Sequence, residues 1–171
     1  MMNQTGDALI ESIPKSVAWL GYGGLLPFVA LTTCALLSAE YRPVCQIALI
    51  LYGAVILSFV GALHWAFAMT LPGLSASKRS ESFVWSVVPA LLAWPAALLM
   101  VAAVRDSFVS ATLGATIAAG LLLAGFISNF VQDARLASVA RIPAWYLPLR
   151  LRLTVVACVC IAAAGYTDFV R

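Results

Sequence analysis

The stretch ILSFVGALHWAFAM, residues 56–69, lies inside an apolar run from Val44 to Leu71 and contains the single histidine of the chain, His64. A helix needs about 20 predominantly apolar residues to cross the roughly 30 Å hydrocarbon core of a bilayer. The run is therefore long enough to span a membrane. Because an ionisable side chain at membrane depth is energetically costly, His64 is a candidate functional residue.

The composition of the whole chain agrees with this local reading. Of 171 residues, 63% are hydrophobic and 10% are charged, and the mean hydropathy is +1.00. Soluble domains average about 45–50% apolar and about 25% charged residues. The sequence therefore predicts an integral membrane protein. Its net charge of +3 is small and scattered, and no nucleic-acid-binding motif accompanies it, so we expect no nucleic-acid partner.

Five apolar segments are long enough, or nearly so, to span a bilayer, and they cover residues 16–39, 44–71, 83–104, 108–131 and 149–167. The polar segments between them leave no room for a soluble domain. Strands of a membrane β-barrel would be about ten residues long with alternating polarity. We therefore predict an all-α fold, with residues 1–171 forming a single domain of five transmembrane helices. Arg150 and Arg152 begin the fifth helix, and we expect both to snorkel to the interface.

The positive charges are distributed unevenly between the two sides of this arrangement. Seven lysines and arginines fall on the side of the N-terminus and of the second and fourth loops, whereas Arg42, Arg105 and Arg171 fall on the other side. The positive-inside rule places the more cationic loops in the cytoplasm. The sequence thus predicts a cytoplasmic N-terminus and a C-terminus outside.

Small residues share the helical face of His64. At 100° per residue, Gly53 and Gly61 fall within about 60° of the histidine. Since small residues mark the places where membrane helices approach closely, His64 is predicted to point into the bundle and not at lipid.

A stripe of residues also runs along one face of the fourth segment, and its residues change from small to polar along the helix. Small residues come first and polar ones follow on the same side, in the order Gly114, Ala118, Gly125, Asn129 and Asp133. The pattern predicts a central helix that packs closely at its outer end and carries an amide and a carboxylate at its inner end. Asn129 either lines a polar pocket or simply bonds a neighbouring helix.

Helix-breaking residues gather at the same predicted level. Each proline leaves the carbonyl four residues earlier without its helical donor, which points to the backbone of Gly23 and Trp85. The segment PAWYLPLRLRLT supplies Tyr146 and Arg150. These two residues form either an interfacial aromatic belt with positive-inside charge, or a site in which Arg150 faces Asp133 or a lipid phosphate.

No constellation typical of an enzyme accompanies these residues. One histidine and scattered cysteines do not supply the three or four ligands of a zinc site. A phosphate-binding loop and a nucleophile elbow are also missing from the sequence. We therefore predict no catalytic residue, no metal and no cofactor. Cys34 and Cys45 lie toward the outer side, where an oxidised pair is one alternative to apolar filler.

Four stretches, LGYGGLLPF, YGAVILSFVGALHWAF, WSVVPALLAW and PAWYLPLRLRLT, together cover much of the chain. In this order they resemble an uncharacterised membrane family, domain of unknown function 3429, related to animal transmembrane protein 69. The resemblance implies a small multi-span bundle in bacterial inner or mitochondrial membranes, and we expect the bacterial inner membrane. It also implies arginine in place of His64 in some members, which disfavours a shared role in binding metal.

The residues therefore favour a non-enzymatic membrane protein with a polar pocket in the cytoplasmic half of the bundle. It would act as an accessory or assembly component that binds a lipid, a quinone or another membrane protein. The pocket candidates are His64, Asn129, Asp133, Arg150, Trp85, Gly23 and Tyr146. The alternative is a small transporter or channel in which His64 is a proton-linked or gating residue. Five spans do not divide into two inverted repeats, which favours the binding protein.

Overall fold

The computed structural model describes residues 13–104 and 110–166, and within those ranges the chain is helical, without strands. Its helices are α1 (Lys15–Gly23), α2 (Leu26–Leu37), α3 (Arg42–Thr70), α4 (Ala76–Trp85), α5 (Val88–Val104), α6 (Ala111–Ala137) and α7 (Tyr146–Tyr166). Five helical stretches are long and apolar enough to cross a membrane, because α1 with α2, and α4 with α5, each form one span. The predicted bundle of five transmembrane helices is confirmed.

Two spans extend six or seven residues beyond the apolar segments that the sequence marks, more than any of the others. The third begins at Ala76 and not at Phe83, because the Ser75 hydroxyl caps the helix by accepting a hydrogen bond from the Lys78 backbone N–H at 3.3 Å. The fourth continues to Ala137, beyond the predicted end at residue 131. Both extensions are polar turns, which hydropathy alone leaves out. Some of the predicted positions lie outside the described residues. They are the start of the fourth span at residue 108, the end of the fifth span at residue 167, and the two arginines Arg105 and Arg171.

The two breaks within spans follow from proline chemistry. Pro27 and Pro89 each lie in the first turn of a new helix, α2 and α5, where a missing backbone N–H costs no helical hydrogen bond. At the first break the Gly24 carbonyl accepts a hydrogen bond from the Tyr52 hydroxyl at 2.9 Å. The broken backbone is therefore tied to α3 by a side chain.

The helix with the most extensive packing is α3, which contacts α2, α4, α5, α6 and α7. We expected the fourth span to be central, but α6 packs mainly against α3, α5 and α7. The position of α3 explains why its polar residue His64 is completely enclosed, with 0% of its surface exposed.

Close approach between helices occurs where glycine leaves room for a neighbour. A Cβ atom on Gly61 would lie 2.6 Å from Pro89 Cγ, and one on Gly125 would overlap the Leu57 side chain. Gly53 faces Leu122 and Gly114 faces Ala103 in the same way, and Ala118 is fully buried. These positions join α3 to α5 and α6, and α5 to α6, at distances that larger side chains would prevent.

Candidate functional site

The most buried charges in the described residues meet around Asp133 of α6, which has no exposed surface. Its Oδ2 accepts a hydrogen bond from Arg150 Nε of α7 at 2.8 Å. Its Oδ1 accepts one from the Tyr146 hydroxyl, also of α7, at 3.1 Å. A carboxylate and a guanidinium thus form an ion pair inside the bundle, with the phenol as a second donor. We call Asp133, Arg150 and Tyr146, together with His64, the charge cluster.

His64 enters the charge cluster from α3. Its Nε2 lies 3.5 Å from Asp133 Oδ1, and the Gly61 backbone is a second, weak partner of the ring, but neither contact has the geometry of a full hydrogen bond. The ring packs edge-on against Phe67, with centroids 6.0 Å apart, and Phe67 packs in turn against Tyr146 at 5.5 Å. His64 therefore lies beside the ion pair, and Phe67 packs between its ring and that of Tyr146.

Asn129 and Trp85 form a second polar contact one helical turn from Asp133. The indole Nε1 of Trp85 donates a hydrogen bond to Asn129 Oδ1 at 3.2 Å. The Asn129 amide nitrogen is buried and has no hydrogen-bond partner in the part of the chain that the structure describes. The sequence pointed to the backbone carbonyl of Trp85, but the contact is made by its side chain. Asn129 thus bonds a neighbouring helix, which is one of the two roles left open for it.

Tyr146 and Arg150, in the first two turns of α7, do not form the interfacial belt that was one of the two predictions for them. Arg150 is 6% exposed and Tyr146 is 9% exposed, so neither reaches the surface of the bundle. The expectation that Arg150 snorkels is wrong, because the buried carboxylate of Asp133 offers a closer partner than the interface. Arg152 is exposed, and its Nη1 donates a hydrogen bond to the Tyr22 hydroxyl at 3.3 Å. Only one of the two arginines therefore reaches the exterior.

A cavity of about 110 Å³ lies beside Arg150, on the side of α1, α2 and α3. Its walls are mostly apolar and come from Leu20, Gly21, Gly24, Leu25, Phe28, Ile56, Phe59, Val60, Phe126, Arg150, Leu153, Thr154 and Ala157. Leu20 and Phe59 are exposed, so the cavity opens on the side of the bundle. Arg150 is thus shared by the cavity and the charge cluster.

Thr154 is the polar residue of this cavity that sequence reasoning missed. It is 7% exposed, and its hydroxyl makes no hydrogen bond in the structure. It lies one turn after Arg150 on α7, so both side chains fall on the same face. The i, i+4 spacing of an arginine and a threonine inside an apolar span is the only sequence signal that could have pointed to it, and a weak one.

Gly23, the remaining candidate, lies apart from the charge cluster on an exposed face of α1. A Cβ atom on it would meet nothing within 4 Å. Its neighbours Gly21 and Gly24 line the cavity instead. As for metals, the described part of the chain brings together no three histidine, cysteine, aspartate or glutamate side chains as ligands.

Five apolar helical spans around a buried ion pair define an integral, multi-pass membrane protein of the helical-bundle class. The sequence profile of the family described as "Protein of unknown function (DUF3429)" matches residues 13–166, and the chain belongs to this family. The predicted family membership is therefore confirmed.

Two curated relatives are named Transmembrane protein 69. The Xenopus tropicalis protein is 37% identical over 149 residues, which are 86% of this chain and 53% of the relative. The Mus musculus protein is 29% identical over 150 residues, 87% of this chain and 54% of the relative. The chain thus spans about half the length of these curated relatives. No solved structure matches it.

Proposed function

We propose that this protein is a non-enzymatic binding protein of the bacterial inner membrane, serving as an accessory or assembly component. Its ligand would be a lipid or a quinone, held by an anionic or carbonyl-bearing head group. The observation that carries the proposal is that Arg150 and Thr154, whose buried hydroxyl has no hydrogen-bond partner among the described residues, line the same otherwise apolar cavity. A buried hydroxyl without a hydrogen-bond partner lowers the stability of a protein by about 1–3 kcal/mol. A ligand that accepts a hydrogen bond from it would remove this cost, which favours binding.

The size of the cavity limits what part of the ligand it encloses. Sites that enclose a small molecule measure about 300–1,000 Å³, whereas this cavity measures about 110 Å³. Because it opens on the side of the bundle, a head group would enter while the hydrocarbon tail stays in the bilayer. An amphiphile from the membrane fits this geometry better than a water-soluble metabolite.

The charge cluster would hold Arg150 in position for such a head group. Arginine presents five N–H donors in a planar fork, and Nε–H is directed at Asp133. The guanidinium can thus bridge the buried carboxylate and an oxygen acceptor in the cavity. In this scheme Asp133 and Tyr146 position Arg150, and His64 packs behind them without touching the ligand.

Two glycines of α1 allow a matched test of the cavity. Gly21→Leu would fill it, because a Cβ at this position already lies 3.3 Å from Leu153 Cδ1. Gly23→Leu is the control, because its side chain would enter open space. Each protein would be purified in mild detergent, and its co-purified phospholipids and quinones counted per protein by mass spectrometry. We expect Gly21→Leu alone to lose one class of amphiphile. Equal retention by both variants would contradict the proposal.

A second candidate is proton-linked transport, which the 3.5 Å approach of His64 Nε2 to Asp133 Oδ1 favours. Histidine and carboxylate side chains inside membrane spans are typical of proton relays. In liposomes containing a pH-sensitive dye, a transporter would dissipate an imposed proton gradient, and His64→Leu would abolish that flux. Flux indistinguishable from that of empty liposomes would remove this candidate.

A further inference from the structure

The end of the bundle away from the charge cluster holds a pair of thiols on adjacent spans. Cys34 belongs to the last turn of α2, and Cys45 to the first turn of α3. Their Sγ atoms lie 2.6 Å apart. Cys45 is 7% exposed and Cys34 is partly exposed, so Cys34 is the more accessible of the two thiols.

The short connection between α2 and α3 keeps the two thiols facing each other. Arg42 Nε donates a hydrogen bond to the Ala35 carbonyl at 3.0 Å, one residue from Cys34. The Tyr41 backbone N–H donates to the Ser38 hydroxyl at 3.4 Å within the same turn. The backbone around the cysteines is therefore fixed from both sides. A disulfide bond measures about 2.05 Å, so a small side-chain shift would close the gap between the sulfurs.

We propose that Cys34 and Cys45 form a disulfide that fastens α2 to α3. The charge distribution predicts that this end of the bundle faces outside, and in bacteria the periplasm on that side is oxidising. The proposal concerns the opposite end of the molecule from the cavity and does not depend on ligand binding. It also makes the redox state of this pair an independent indicator of the orientation of the protein.

The oxidant would be the disulfide of a thiol–disulfide oxidoreductase, and the reaction is a pair of exchanges. The thiolate of Cys34, the more accessible residue, attacks a sulfur of the oxidant's disulfide, forming a mixed disulfide and releasing one thiolate on the oxidant. The Cys45 thiolate then attacks Cys34 Sγ, which breaks the mixed disulfide and releases the second thiolate. Two electrons pass to the oxidant, and its two thiolates take up the two protons that the cysteines lose.

The remaining cysteines provide an internal control. Cys158 and Cys160 lie two residues apart on α7, so their side chains point about 200° away from each other and cannot bond within the helix. The full chain, expressed in a bacterium with an oxidising periplasm, would be quenched in acid and denatured, and its free thiols blocked with N-ethylmaleimide. After reduction, newly exposed thiols would be counted by the gel shift that maleimide-polyethylene glycol produces.

We expect two labels on the wild type and on the Cys158→Ser/Cys160→Ser double variant. Cys34→Ser and Cys45→Ser should each take no label, because either change leaves the other thiol without a partner. No label on the wild type would overturn the proposal. Labelling that persists in Cys34→Ser would also overturn it, because the oxidised cysteine would then have a different partner.

Discussion

The two halves of α6 hold their neighbours by different means. In the N-terminal half, Gly114 and Ala118 let other helices approach closely, with Gly114 against Ala103 of α5. In the C-terminal half, Asn129 and Asp133 engage side chains through hydrogen bonds and an ion pair. One helix thus contains both a packing segment and a polar segment, with Gly125 marking the change between them.

From this comparison we infer that the polar segment does more than hold neighbouring helices together. Membrane helices have no hydrophobic driving force between them, and small residues that allow close packing are sufficient to join them. A buried charge pair is a costly way to achieve the same result, since replacing such a pair by apolar residues is often neutral or stabilising. We therefore attribute the charge cluster to the cavity beside it, and the packing segment to stability.

The largest loss of stability is expected when the ion pair of the polar segment is broken at Arg150. In Arg150→Leu the Asp133 carboxylate loses its cation at a fully buried position, and we expect the free energy of unfolding to fall by about 3–5 kcal/mol. The double variant Asp133→Leu/Arg150→Leu should be more stable than Arg150→Leu, because it buries no unpaired charge. Thermal melts in one detergent compare the three proteins, and a double variant less stable than the single one would contradict this account.

A smaller effect is expected from overfilling the packing segment. Gly125→Leu would force its side chain into Leu57, and overpacking of this kind costs about 1–3 kcal/mol. Gly120→Leu, on the same helix, is the control because nothing lies within 4 Å of the added Cβ. Melting temperatures of the two variants provide the measurement. If both melt like the wild type, α6 does not pack through this stripe.

The hydrogen bond between Trp85 and Asn129 should contribute less still. Trp85→Phe removes the indole donor and should lower the free energy of unfolding by about 0.5–1.5 kcal/mol. Trp94→Phe, at a side chain that is 67% exposed, is the matched control and should have little effect. A double-mutant cycle with Asn129→Leu isolates the pairwise energy. A coupling energy of zero would show that the contact does not stabilise the protein.

The smallest change in stability is expected at His64. Since the ring nitrogens make only weak contacts, with Asp133 Oδ1 and the Gly61 backbone, we expect His64→Leu to change the free energy of unfolding by less than about 1 kcal/mol. Chemical denaturation of His64→Leu and of Arg150→Leu under the same conditions compares their free energies of unfolding. A loss as large as that of Arg150→Leu would mean that His64 is charged and paired with Asp133.

The general arrangement of the bundle was predictable because it follows from one-dimensional properties. Apolar length sets the number of spans. His64, Tyr146 and Arg150, the three predicted residues that meet around Asp133, come from two other helices, α3 and α7, and polar residues in apolar spans identify them one at a time. Each of these residues is polar or ionisable within an apolar segment, and the sequence shows this without any knowledge of the fold.

Their partners were less predictable, because pairing depends on how the helices rotate against one another. Arg150 has the interface only a few residues away, and the sequence cannot show that Asp133 is closer. Thr154 is inconspicuous in sequence, since a threonine in a membrane helix usually bonds a carbonyl one turn earlier. Only the packing of α7 reveals that Thr154 lines a cavity and that its hydroxyl lacks a hydrogen-bond partner among the described residues.

The central claim is that the hydroxyl of Thr154 and the guanidinium of Arg150 receive the head group of a membrane amphiphile. The direct test compares Thr154→Val with Thr116→Val, whose hydroxyl bonds the Thr112 carbonyl of its own helix at 2.7 Å. Amphiphile retained per protein and melting temperature would be measured together. We predict that Thr154→Val retains about two- to tenfold less amphiphile than the wild type, corresponding to one lost hydrogen bond, with a melting temperature no lower than that of the wild type. Retention equal to that of Thr116→Val would contradict the account.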